Sequence, residues 1–172
     1  NLLPTLTSSE VIVLSAFLEK CPRLHTLQLQ PKMPPLPVKQ IRSAAELDLS
    51  GRSLNVLDAL VMAPMVKGSH TRVLKLGLNR LTQTPPDLTN QSWFRHEEYD
   101  EMPTGLDALL EAVHLNGHME ILDISSNLIG PHGAKAVATA IQDHHTLHTL
   151  DVSRNAIGAA GMRWIAEAIS GE

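Results

Sequence analysis

Apolar residues recur two apart along this chain, with a single polar or charged residue between them. Leu47 and Leu49 flank Asp48, Leu74 and Leu76 flank Lys75, Leu122 and Ile124 flank Asp123, and Leu150 and Val152 flank Asp151. Such alternation sends the apolar side chains to one face of a short strand and the intervening residues to the other. It predicts strands near 46–49, 73–76, 121–124 and 149–152, and a further one near 25–29 from Leu24-x-x-Leu27-x-Leu29. Between them the apolar spacing lengthens to helical periodicity. Thr7-Ser8-Ser9-Glu10 has the capping-box pattern that opens a helix, here running to about Lys20. A second helix is predicted from about Asn55 to Ala63, ending or kinking at Pro64. Three more are predicted over about 106–115, 132–142 and 159–169. Helix followed by successive strand–helix units implies an α/β chain with a parallel sheet.

The units are copies of one another. An offset of 28 carries Leu122, Asp123, Ser125, Asn127, Ile129, Gly130, Gly133, Ala138, Ala140 and Ile141 onto identical residues at Leu150, Asp151, Ser153, Asn155, Ile157, Gly158, Gly161, Ala166, Ala168 and Ile169. Weaker copies precede them as Leu74-x-Leu76-x-x-Asn79-x-Leu81 and as Leu47-x-Leu49-x-x-Arg52-x-Leu54, where Arg replaces Asn. This pattern resembles the leucine-rich repeat, and a period of 28 with a full helix resembles the ribonuclease-inhibitor-like subfamily. The resemblance implies a right-handed βα solenoid, a horseshoe with its parallel sheet on the concave face and its helices on the convex face. About five repeats are expected over residues 1–172, the first of them partial. Asn79, Asn127 and Asn155 are expected to form a buried ladder, because an amide offers donors and an acceptor to backbone groups of adjacent turns. Arg52, too long for that niche, is expected to point outward.

Two stretches break the period. Asn79 and Asn127 are 48 residues apart against 28 for Asn127 and Asn155, and the excess falls before Gly105, which is in register with Gly133 and Gly161. This places an insertion at 83–104, within the repeat that starts near residue 71. It holds Trp93, Phe94 and Tyr99, three of the five aromatics of the chain, and its charges sum to −4 through Asp87, Glu97, Glu98, Asp100 and Glu101 against Arg95. Its aromatics either fold back on the helices as a satellite cluster or form a recognition loop; a third reading is a disordered segment. The second stretch, between Leu27 and Leu47, carries Pro31, Pro34, Pro35 and Pro37 and is expected to be an extended connection rather than a helix. Asn1-Leu2-Leu3-Pro4 matches the Asn-x-apolar step of a repeat, and neither end shows a polar cap. The expectation is a segment of a longer repeat protein.

Composition narrows the function classes. Hydrophobic residues make up 43% and charged residues 19%, enough apolar material for a continuous core, and with 27 leucines that core is aliphatic. The net charge of −4 provides no basic field for a nucleic-acid backbone. No apolar run approaches the roughly 18 residues that a membrane-spanning helix needs. One cysteine, Cys21, excludes a disulfide framework within the chain and fits a reducing, intracellular compartment.

Candidate chemistry is sparse. Nine histidines include His144-His145-x-x-His148, but that group lacks a cysteine and lies in a turn, so no metal site and no cofactor is expected. The aligned Asp48, Asp123 and Asp151 could form an acid–base or cation row, although aspartate is common at this position in the family that the chain resembles. No phosphate loop, zinc-protease helix or nucleophile elbow occurs. The resulting expectation is a non-catalytic scaffold that binds a protein of basic character. Binding would use Glu46, Asp48, Lys75, Asp123, Ser125, Asp151, Ser153 and Arg154 on the concave face, and Trp93, Phe94, Tyr99, Glu97 and Glu98 in the insertion. The alternatives are a GTPase-activating protein of leucine-rich-repeat type and a purely architectural segment of a large assembly.

Overall fold

The computed structural model describes residues 13, 14, 16–18, 20–29, 33–82 and 105–171. The insertion, with Trp93, Phe94, Tyr99, Glu97 and Glu98, lies outside the described residues, as does the start of the first predicted helix. Residues 13, 14 and 16–18 are helical. The order from there is α1 (Val38–Ser43), β1 (Glu46–Asp48), α2 (Val56–Lys67), β2 (Val73–Lys75), α3 (Gly105–His114), β3 (Ile121–Asp123), α4 (Gly130–Ile141), β4 (Thr149–Asp151) and α5 (Gly158–Ser170).

The four strands form one parallel sheet in the order β1-β2-β3-β4. Its register follows the repeat: Leu47, Leu74, Leu122 and Leu150 are in line, as are Asp48, Lys75, Asp123 and Asp151. Leu47, Leu49, Leu74, Leu76, Leu122 and Ile124 are buried in one cluster with the inner faces of the helices, including Val61, Met62, Leu109, Leu110 and Val137. Leu150 and Val152 pack on that cluster but are only half-buried, since β4 has a partner strand on one side alone among the described residues.

Each helix packs on the next. The close approach of α3 to α2 depends on Gly105, because a Cβ there would lie 2.2 Å from the Val56 carbonyl oxygen. The opening of α2 is fixed by a capping box: the Asn55 side chain accepts from Leu57 N–H at 2.9 Å, and Asp58 accepts from Asn55 N–H at 3.0 Å.

Three expectations need correction. Residues 25–29 do not form a strand of this sheet; Leu27 makes an antiparallel bridge with Leu36. The connection before β1 is not wholly extended either. Once past Pro37, residues 38–43 make α1, whose Val38 and Ile41 are fully buried. Its Arg42 donates to the carbonyl oxygens of Leu18 and Cys21. Third, of the end or kink expected at Pro64, the end does not occur: α2 continues to Lys67. Proline removes one helical donor and crowds the carbonyl four residues back, yet Met65 and Val66 beyond it are buried and hold the last turn in place.

Candidate functional site

Two ladders of side chains follow the strands, one inside the molecule and one on the outer face of the sheet. The inner ladder is the asparagine column. Asn79, Asn127 and Asn155 are 4%, 0% and 2% exposed. Asn127 donates from Nδ2 to the Leu76 carbonyl of the preceding unit at 2.9 Å and to its own Ile124 carbonyl at 3.1 Å, while its Oδ1 accepts from Leu81 N–H at 3.3 Å. Asn79 treats Leu49, Leu76 and Leu54 in the same manner, and Asn155 treats Ile124, Val152 and Asn127. Each amide thus ties its own strand exit to the unit before it. Arg52, at the same position of the first unit, is half-buried rather than fully outward.

The outer face carries the residues singled out for binding. Asp48, Lys75, Asp123 and Asp151 form one row across the four strands. The three carboxylates share one hydrogen-bond pattern. Each accepts the backbone N–H two residues on, at 3.0 Å from Ser50, 2.9 Å from Ser125 and 2.9 Å from Ser153. These bonds, joined by the serine hydroxyls of Ser50 and Ser153, hold Asp48 and Asp151 below the usual carboxylate range. The row therefore consists of fixed negative charges, with Lys75 among them. Glu46 is exposed on β1, Ser125 is half-buried, and Ser153 and Arg154 are exposed where the chain leaves β4. Arg154 adopts a left-handed conformation with φ of 57°.

A second charged row at the start of the strands is absent from the residues named by sequence reasoning. Arg72 grips Glu120 with both arms, Nε to Oε1 at 2.7 Å and Nη2 to Oε2 at 2.8 Å, and His148 Nε2 lies 3.8 Å from Glu120. The guanidinium holds Glu120 below its ordinary range. Only the register brings these residues together, because Arg72 and Glu120 are 48 positions apart. Also unforeseen is the bonding of the turns from helix to strand. Asn116 Nδ2 donates to the Val66 carbonyl at 2.8 Å, and its counterpart His144 uses Nε2 toward the Val113 carbonyl at 3.1 Å. His144 thus serves turn geometry, and no group of three or more His, Cys, Asp or Glu among the described residues could hold a metal ion.

Residues 115–138 and 143–166 each match the leucine-rich repeat family model. These two units are similar to leucine-rich repeats. The matched segments start 28 residues apart and contain β3 with most of α4 and β4 with most of α5. The two upstream leucine-rich units, around β1 and β2, extend the same sheet in the same register. Comparison with curated proteins and with solved structures gives no match for the chain. No helix among the described residues is long and apolar enough to cross a membrane.

Proposed function

We propose that this leucine-rich-repeat chain is a non-catalytic scaffold that binds a protein partner through the outer, concave face of its sheet. The observation that carries this reading is the row Asp48–Lys75–Asp123–Asp151. Its carboxylates are held by neighbouring backbone N–H groups, which suits a rigid recognition surface. Fixed charges speed encounter and set register with a complementary partner more than they add affinity. With three acids and Glu46 against Lys75 on the strands, the partner has basic character. The insertion, through Trp93, Phe94, Tyr99, Glu97 and Glu98, adds aromatic anchors and further acid to the same partner.

A photo-crosslinking residue placed at position 123 tests this, with the same group at Thr139 on the helix surface as the control. Crosslinks to a protein partner from position 123 are expected, and their loss when Asp48 and Asp151 are replaced by lysine. A specific partner trapped from position 139 and not from 123 would instead make the helices the working surface, as an architectural segment requires.

A further inference from the structure

Between the two charged rows runs a third, Glu46–Val73–Ile121–Thr149, aligned across the sheet by the same register. Val73 and Ile121 are its centre. Both are half-buried, and neither belongs to the core cluster that takes up their neighbours Leu74 and Leu122. Strand alternation puts them on the outer face beside each other, about 4.8 Å apart from strand to strand. The patch has charged borders. The Arg72–Glu120 pair closes one side, Lys75 and Asp123 the other, and Glu46 and Thr149 stand at its two ends. Below Lys75 the row that carries Ser50, Ser125 and Ser153 has Gly77 instead. A Cβ at Gly77 would meet Ser125 Oγ at 2.8 Å and the Asp123 carboxylate at 3.2 and 3.3 Å, so Asp123 and Ser125 lean into the space that this glycine leaves.

We infer that Val73 and Ile121 are the apolar anchor site of the outer face, taking one large aliphatic or aromatic side chain from an extended peptide segment that carries lysine or arginine on either side of it. This rests on the reading of the outer face as the binding surface and specifies what that face holds. Charge complementarity selects the occupant. Arg72 and Glu120 neutralise each other, which leaves Glu46, Asp48, Asp123 and Asp151 against Lys75, Arg52 near Asp48 and Arg154 near Asp151, an acidic excess in which Asp123 borders the patch directly. A segment with an apolar residue between basic ones places its anchor on Val73 and Ile121 and its cations over the carboxylates. Interfaces concentrate their energy in such a desolvated anchor ringed by polar contacts.

The molecule supplies the substitutions for a test. Thr149 already occupies this row on β4, so Val73→Thr with Ile121→Thr removes the apolar surface while keeping β-branched residues in the strands. Asp48→Asn, Asp123→Asn and Asp151→Asn together remove the charge while keeping an oxygen for each serine N–H. The whole 172-residue chain is used to select from a random-peptide phage library, with thermal unfolding confirming that both variants fold. Selected peptides are expected to share a large apolar residue flanked by lysine or arginine. They should lose about tenfold or more in affinity on the threonine variant, and weaken with salt on the wild type but not on the asparagine variant. Peptides that respond to the asparagine variant alone would overturn the anchor and leave the outer face as the binding surface. Peptides indifferent to both variants would overturn the two readings together. An acidic consensus, an empty selection, or self-association of the chain that the threonine variant abolishes would each remove the basic peptide as occupant.

Discussion

At the scale of single residues, the amides are the least replaceable polar groups. Asn127→Leu would leave the buried Leu81 N–H without its partner and the Leu76 carbonyl with Asn79 alone, at about 1–3 kcal/mol for the orphaned group. A clear loss in denaturant unfolding is expected, and wild-type behaviour would make the ladder incidental. His144 gives a finer test, because Asn116 does the same work one repeat earlier. The ring accepts Leu147 N–H at Nδ1, 3.2 Å away, while Nε2 faces the Val113 carbonyl. An asparagine offers the same donor and acceptor, so His144→Asn should be tolerated within about 0.5 kcal/mol. His144→Leu should cost about 1–3 kcal/mol in the same measurement. Asp58 makes a prediction of sign. Burial raises its carboxyl above the ordinary value despite the bond from Asn55 N–H. The native state therefore holds a proton there at a pH where the unfolded chain has released it. Its contribution to stability rises as pH falls toward 4 and levels off once both states are protonated. Asp48 and Asp151 act oppositely, their contribution being lost as pH falls below the ordinary carboxylate range. Unfolding of Asp58→Asn at several pH values should show the loss of the rising component.

At the scale of elements, α2 supports a fourth prediction. Pro64 sits inside the helix, where proline is about 3 kcal/mol less favourable than alanine. Pro64→Ala should raise stability by roughly 1–3 kcal/mol, read as a higher midpoint of thermal unfolding; a lower midpoint would mean that the ring is needed for packing. The same helix shows where sequence reasoning stops. The strands were legible because their period of two is unambiguous and the repeat states it four times. The end of α2 was not, because local geometry argues for a stop at proline and only the burial of Met65 and Val66 outweighs it. The helix over 38–43 was hidden for a similar reason, the prolines before it suggesting an extended chain. The outer face was half legible. Its polar residues could be named from the alternation, but Val73 and Ile121 look like core residues until the register places them on the surface. The Arg72–Glu120 pair needs that same register to span 48 positions.

At the scale of the whole molecule, the core is open on its β4 side among the described residues. β4 pairs with β3 alone, Leu150 and Val152 are half-buried, and an open groove of about 660 Å³ runs between them and α5, lined also by Leu147, Met162 and Ile165. Met162 and Ile169 on α5 are 51% and 72% exposed. An unpaired strand edge beside a groove with exposed apolar residues is a template for association, because a repeat buries its core face only by stacking against a neighbour. The isolated chain should therefore self-associate as its concentration rises, and sedimentation velocity should resolve species larger than the monomer. Met162→Lys with Ile169→Lys places two cations on the rim of that groove, where exposed side chains can stay solvated without disturbing the core. This variant should sediment as a monomer over the same concentrations with its unfolding midpoint little changed. Association that persists in the double lysine variant would locate the contact on another surface, and the outer face of the sheet is then the first to test, through Val73→Thr with Ile121→Thr.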